Sequence, residues 1–394
     1  MSNRVLIVGG GIGGLAAALA CARQGASVEL FERSGALTEF GAGLQLGPNV
    51  VKLLQGWGLN QALLRAGALP DRLQVRNAVS GAELGVLRLG DVVRRRYGAP
   101  YLTMHRADLQ SLLADALRLQ SKVKIHLGAE VVRFDNRADG VTLYTSDDQA
   151  VDGDLLVGAD GLWSRVRQQL LDDGQPSLTG QLAYRALVAQ TSLPEHLRSE
   201  QITAWLGPDW HVVEYPVRGG NWLNVVAVVR GQMFGDPQYW DHSGNGPRLR
   251  DQLAQACAPL QELIHAISAW RLWALNIRPP MAGAHQHAQG RVALLGDAAH
   301  PMVPFLAQGA GMAIEDAHAL AQALRGEGVD VPQALANYAT GRWRRNARVQ
   351  ARSLRNGRIF HATGWTRLGR DLSIKLLGER LLDLPWLYRG APGS

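Results

Sequence analysis

Five glycines in six positions, Gly9-Gly-Gly11-Ile-Gly-Gly14, follow directly on the apolar run Arg4-Val-Leu-Ile-Val8. A helix-like stretch, Leu15 to Arg23, comes next, and then a second apolar run, Val28-Glu-Leu-Phe-Glu32. Short continuous apolar runs of this kind read as strands buried on both faces. The order is strand, glycine turn, helix, strand, which predicts an α/β, Rossmann-like fold with a parallel sheet. The glycines of G-x-G-x-x-G each meet a separate steric demand. Gly9 allows a tight turn, Gly11 lets backbone approach a pyrophosphate, and Gly14 lets the helix pack on the sheet. The helix N-terminus attracts phosphate. Glu32, 18 residues past Gly14, ends the second strand where a carboxylate accepts ribose hydroxyl bonds, with Arg33 beside it. These features predict a bound dinucleotide. The motif alone does not separate FAD from NAD, and the bland alternative is a glycine-rich turn in an ordinary α/β sheet.

The same segment, Val5 to Ala22, is uncharged and largely apolar, so it could pass for a signal peptide or short membrane span. The glycines at its centre argue against both, and no transmembrane segment or stable membrane association is expected. With 394 residues, 46% hydrophobic and 19% charged, the chain is neither disordered nor fibrous and has room for two or three domains. Two cysteines, Cys21 and Cys257, exclude a disulfide framework or a Cys-based zinc cluster and suit a reducing cytoplasm. The net charge of +7 comes almost wholly from arginine, since only four of the 41 basic residues are lysine. Its densest run, Arg342 to Arg370, has no nucleic-acid motif around it and reads as a solvated helical face. A DNA-binding regulator is the alternative from another class; no nucleic-acid partner is expected.

Two later motifs narrow the cofactor. Asp154-Leu-Leu-Val-Gly-Ala-Asp160-Gly161-Leu-Trp-Ser164 reads as strand, sharp turn and helix start; Arg291-Val-Ala-Leu-Leu-Gly296-Asp297 is another buried strand ending in Gly-Asp. With the continuation Pro304-Phe-Leu-Ala-Gln-Gly309-Ala310-Gly311-Met312, they make the chain resemble the single-component FAD-dependent aromatic hydroxylases over nearly its whole length. The resemblance implies FAD, NADH or NADPH as a transient reductant, and O₂ as co-substrate. It implies an FAD domain of the glutathione-reductase type, an inserted β-sheet substrate domain and a helical C-terminal segment. It matches Asp160-Gly161 and Gly296-Asp297 to the family's D-G and G-D motifs, the first with both FAD and NAD(P)H roles, though D-G is also a common turn pair. Asp297 can accept from a ribityl hydroxyl. Gly309, Ala310, Gly311 and Met312 would open the helix Met312–Leu324, whose positive N-terminus favours a reduced, anionic flavin. Arg106 matches a flavin-contacting arginine, and Gln45, in the loop 41–49, stands beside the ring. Surface salt bridging for Arg106 and a plain loop for 41–49 are the alternatives.

Between these motifs, Ala183–Ala189, Ile202–Leu206, His211–Val217 and Asn221–Val229 read as strands, with Arg218-Gly219-Gly220 as a hairpin turn. Period two places His211, Val213 and Tyr215 on one face, with His211 and Tyr215 about 13 Å apart along the strand. Residues 207–224 and 41–49 resemble the 3-hydroxybenzoate 6-hydroxylases; salicylate hydroxylases and 6-hydroxynicotinate 3-monooxygenases share much of the pattern. In that family the histidine matching His211 is the base that deprotonates a phenol, and the tyrosine matching Tyr215 lines the pocket. Tyr101, Pro304 and Phe305 join the substrate-site candidates. The implied reaction is hydroxylation of a small phenolic aromatic acid through a flavin hydroperoxide, 3-hydroxybenzoate giving 2,5-dihydroxybenzoate. Pro304 stands where that enzyme carries glutamine, and Phe305 where relatives carry tyrosine or histidine, so two polar contacts are missing. Without the resemblance, His211 reads as a structural residue more readily than as a catalyst, and Tyr215 and Tyr101 could each be ordinary aromatic core.

His285-Gln-His287 reads as a surface loop, and no metal is expected. The FAD domain takes residues 1–72, 100–180 and 276–345, the substrate domain 73–99 and 181–275, and a helical segment 346–394. That tail could cap the flavin domain, form a homodimer contact or touch a membrane; capping is the simplest.

Overall fold

Five parallel strands carry the first layer in the order Val292–Leu294, Leu155–Gly158, Arg4–Val8, Ser27–Glu32, Val123–Leu127, with Ala288–Gln289 antiparallel at one edge. The computed structural model describes residues 3–37, 43–232, 242–244 and 246–390; Gly41 and Ala42 of the 41–49 loop lie outside them. The apolar run that resembled a membrane span is the centre of this layer. Val5, Leu6, Ile7 and, on the helix Ile12–Arg23, Leu15 to Ala18 are all fully buried. Among the described residues no helix is long and apolar enough to cross a membrane.

An eight-stranded sheet forms the second layer, in the order His242–Gly244, Trp270–Ile277, Ser177–Ala189, Trp222–Arg230, His211–Val217, Ile202–Leu206, Arg72–Asn77, Glu83–Arg88. Its neighbours are antiparallel except Ile202–Leu206 with Arg72–Asn77. The four strands expected in the central stretch are all present. Arg218, Gly219 and Gly220 take positive φ of 54°, 64° and 89°, turning His211–Val217 into Trp222–Arg230. Trp270–Ile277 is a further strand, not expected from the sequence.

The expected break near residue 345 falls inside one continuous helix, Val331–Phe360. Asp330 caps it, its side chain accepting from the Gln333 N–H at 3.3 Å. Beyond it, Gly364–Leu377 packs Ile374 inward but leaves Trp365, Leu368, Leu372 and Leu376 exposed. The chain then returns to the body. Tyr388 meets the rings of Tyr97 and Tyr101 edge-on, at 5.6 and 6.0 Å, and Arg345 donates to the carbonyls of Trp386 and Leu387.

Candidate active site

The three motif turns lie at the carboxyl ends of adjacent parallel strands, the edge where such sheets bind ligands. Gly9 has φ 108°, and a Cβ there would stand 2.4 Å from the Ala159 carbonyl oxygen, so the first turn presses against the second. A Cβ at Gly14 would stand 1.9 Å from the Gly9 oxygen; only glycine lets this helix approach its own turn. The third turn stands beside the second, the Leu295 N–H donating to the Gly158 carbonyl at 2.9 Å, and the helix tip at Gly309 lies close to Asp297. Between the turns and the eight-stranded sheet lies a cavity of about 920 Å³.

Gly9, Gly11, Glu32, Arg33, Gln45, Arg106, Asp160, Asp297, Gly309 and Ala310 line this cavity, as do His211, Tyr215 and Pro304. Gly14, Gly311 and Met312 instead support it from behind, Met312 being fully buried. Glu32 accepts from the Gly10 and Ser34 N–H groups at 2.6 and 2.8 Å, fixing the first turn. Asp160 accepts from Ser164 Oγ at 2.5 Å and the Val166 N–H at 3.2 Å, so the second turn's acid also starts the helix Arg165–Leu171. Burial raises its pKa against these bonds. Gln45 Oε1 accepts from the Tyr101 hydroxyl at 2.7 Å, which makes Tyr101 a support for Gln45 rather than a wall of the cavity.

The cavity-facing helix starts at Gly309 and runs to Ala323, three residues earlier than expected, and no side chain caps it. Free N–H groups of its first turn are open to an electron-rich ligand. Directly behind this tip lies a buried charge network. Arg342 donates to Asp316 Oδ1 at 2.7 Å and Glu315 Oε2 at 2.9 Å, and Arg345 donates to Glu315 at 2.6 Å. Asp316 also contacts His300 Nε2 at 2.5 Å and accepts from Asn346 at 2.9 Å. Burial alone would raise both acids, but the guanidinium and imidazole partners outweigh it and hold them below the usual range. His287 belongs here too, fully buried and bonded to Asn346 at 2.9 Å; of the pair read as a surface loop, only His285 is exposed. The ligand atoms of His287, His300 and Asp316 lie within 4.8 Å of one another, yet each has a protein partner and Arg342 supplies the positive charge.

On the sheet wall, His211 Nδ1 stands 2.7 Å from His361 Nε2, and His361 Nδ1 stands 3.0 Å from the Gln181 amide. His211 is a general base in the tautomer that carries its proton on Nδ1 toward His361; His361 then carries its own on Nδ1, which requires the Gln181 amide to present its oxygen there rather than its nitrogen. Phe305 does not line the cavity. Its ring packs edge-on against His211 at 5.2 Å, and with Phe360 at 5.3 Å it fixes the imidazole from behind. Nothing local in the sequence marks His361, which follows a long arginine-rich helix and reaches His211 only through the fold.

Burial, reinforced by the neighbouring imidazole, pushes the His211 pKa well below 6.5. Burial also takes His361 and His287 down to about 4. The folded values lie below the unfolded one, so the unfolded chain takes up protons first on acidification. Their contribution is fully present above pH 6.5 and is lost as pH falls towards 4. Glu214, raised by burial to about 7, works in reverse and costs stability as pH rises from 4.5 to 7. Urea midpoints should therefore fall from pH 6.5 to 4.5, and Glu214→Gln should stabilise more at pH 8 than at pH 5. Midpoints insensitive to pH in both proteins would contradict these environments.

The family model described as FAD binding domain matches residues 2–353. The 3-hydroxybenzoate 6-hydroxylase of Polaromonas naphthalenivorans (strain CJ2) is 37% identical over 387 residues, 98% of this chain and 95% of that protein. The chain belongs to the single-component FAD-dependent aromatic hydroxylases. Among solved structures, a salicylate hydroxylase substrate complex is 30% identical with a TM-score of 0.83, covering 98% of this chain and 95% of that one. Klebsiella pneumoniae HpxO complexed with FAD and uric acid is 26% identical with a TM-score of 0.84, covering 96% and 94%. FAD is thus the enzyme's cofactor, and the residues fit it. The glycine cradle has no space for a Cβ at Gly9 or Gly14, and two helices, Ile12–Arg23 and Gly309–Ala323, bring uncapped N-termini to one cavity. Arg185 and Trp273 also line that cavity, and neither stands out in the sequence as a site residue.

Proposed function

We propose that the enzyme hydroxylates a small phenolic aromatic acid, with 3-hydroxybenzoate converted to 2,5-dihydroxybenzoate as the leading reaction. Salicylate, giving catechol and carbon dioxide, and 6-hydroxynicotinate are the alternatives within the family. The observation that carries this reading is His211, a buried neutral imidazole lining the cavity and backed by a second one 2.7 Å away. His211 Nε2 takes the phenol proton, and the resulting phenolate makes its ortho and para carbons electron-rich. His361, 2.7 Å from Nδ1, orients the His211 ring toward the cavity. Val213, Val226 and Val228 keep water from the ring. FAD, when bound, supplies hydride uptake from NADH or NADPH and activation of O₂. In this reading Gly9, Gly11, Glu32, Arg33, Gln45, Arg106, Asp160, Asp297, Gly309 and Ala310 hold the cofactor, and the reduced pyridine nucleotide docks transiently. The parallel layer is the FAD domain, and the eight-stranded sheet is the substrate domain.

The test is turnover with NADH or NADPH under ¹⁸O₂ against hydroxybenzoates and 6-hydroxynicotinate, with products weighed by mass spectrometry. One labelled oxygen per product is the expected result. Unlabelled product would favour a flavin dehydrogenase or oxidase, and no product from any phenol would reject the reading.

A further inference from the structure

Arg185 sits on Ser177–Ala189 opposite Val226, which in turn lies opposite Val213. Directly opposed residues in antiparallel strands share a face. Arg185 therefore shares the face that carries His211, Val213 and Tyr215, two strands away. By strand spacing and rise, its Cα is about 12 Å from that of His211. Both side chains line the one cavity.

Among the described residues Arg185 has neither hydrogen bond nor ion pair, and its Nε is buried without an acceptor. The Trp273 ring lies 4.6 Å from its guanidinium carbon. Trp273 lines the same cavity, and its indole Nε1 is likewise a buried donor with no acceptor. Unpaired buried donors are costly, and although the Arg185 side chain as a whole is half-buried, its Nε is such a donor. The acids lining the cavity do not pair with Arg185: Glu32 and Asp160 are engaged by their own turns, Glu130 pairs with Arg165, and Asp297 forms no ion pair with it among the described residues. Burial and the neighbouring Arg106 lower the Arg185 pKa only to about 10, so it stays charged at neutral pH. What is missing beside Arg185 and Trp273 is an anionic acceptor, and a planar carboxylate matches a guanidinium fork.

We propose that Arg185, with Trp273 Nε1 beside it, is the subsite that binds the substrate's carboxylate while His211 engages its phenol. This rests on the hydroxylase reading and deepens it. The two groups approach the ring from separate strands, so a meta- or para-hydroxybenzoate spans them better than an ortho one. Tyr215, whose hydroxyl burial keeps neutral, lies at the far end of His211's strand and adds no charge.

The experiment measures dissociation constants of the holoenzyme for 3-hydroxybenzoate and for its neutral counterpart 3-hydroxybenzamide, by perturbation of flavin absorbance. The variants are Arg185→Gln and Arg185→Lys. Wild type should prefer the acid by roughly 10- to 100-fold, the range for a charge-assisted hydrogen bond. Arg185→Gln should bring that ratio near one while amide binding stays within about threefold, and Arg185→Lys should restore part of it. Retained preference for the acid in Arg185→Gln overturns the proposal. So does a rise in the FAD dissociation constant or NADH KM with the ratio unchanged, which would assign this cation to a cofactor. If wild type hydroxylates neutral phenols as readily as acids, the hydroxylase reading stands and the carboxylate subsite falls. If it hydroxylates none, the reading itself falls, and an intact binding ratio would still support an anion site.

Discussion

His211→Ala should lower hydroxylated product per enzyme by about 100- to 10,000-fold, the usual worth of a general base. FAD retention should stay normal. The reason lies in which layer carries what. His211 belongs to the eight-stranded sheet, whereas the glycine turns and the helix tip sit on the parallel layer. Its ring is held by Phe305, Phe360 and His361 and not by any turn of the glycine cradle. Alanine would open a hole beside those rings, so His211→Gln, closer in volume, is the companion variant and should lose a similar factor. A pH series separates a lost base from lost packing. As pH approaches about 10, a simple phenol ionises unaided, so the deficit of a base-less variant should shrink steadily. A deficit that stays constant to pH 10, or full turnover at pH 7, would remove His211 from the role of base. NADH consumption and product are to be read separately, because a substrate that binds without ionising can still stimulate oxidation of the reductant.

What the sequence discloses and what it withholds divide along the range of the interactions. His211–Val217 is legible to the residue because its limits are set locally, by Gly207-Pro-Asp-Trp before it and Arg218-Gly-Gly after it. The glycine turns are legible because positive φ and the close approach of Gly14 to Gly9 are demands that one residue type meets. Glycine is a poor helix former, which argues against a helical start before Met312, yet the helix Gly309–Ala323 starts three residues before that expected position. In a first turn that must meet a ligand, a bare backbone outweighs that penalty. Arg342 shows the opposite limit. A run of arginines looks like a solvated face when counted, and Arg344, Arg348 and Arg355 are indeed exposed. Arg342 is only 2% exposed because Glu315 and Asp316 lie 27 and 26 residues away on a helix that packs against it. Periodicity carries no trace of that pairing. His361 and Arg185 escape a sequence reading for the same reason, although a lone arginine in the apolar strand Ala183–Ala189 is a usable signal.

Arg342→Met should destabilise the fold by about 3–5 kcal/mol, the cost of removing one partner from a buried ion pair. Two carboxylates would lose it at once: Asp316, fully buried, and Glu315, which keeps Arg345 as a second cation. Asp316 is the more vulnerable to the loss, since its remaining partners are His300 and Asn346. Its pKa, now held down by His300 and Arg342 against burial, should rise, so the stability that wild type gains as pH climbs through the range where the unfolded carboxyl ionises should shrink in the variant. The double variant Arg342→Met/Asp316→Asn leaves no stranded carboxylate at this position, so it should recover a large part of the loss. A double variant no more stable than the single one would mean that packing of the long arginine stem, not charge, is what the core loses. The consequence reaches the cofactor because both acids lie on Gly309–Ala323, six or seven residues behind its tip, and Asp316 also approaches the Gly296 N–H at 3.5 Å. The network therefore ties that helix to Val331–Phe360 and to the Gly-Asp turn. FAD should be released at lower urea than the global unfolding midpoint in Arg342→Met, and together with it in wild type. Flavin fluorescence and far-ultraviolet dichroism followed in one titration distinguish these cases, and coincident transitions in the variant would separate this network from the cofactor site.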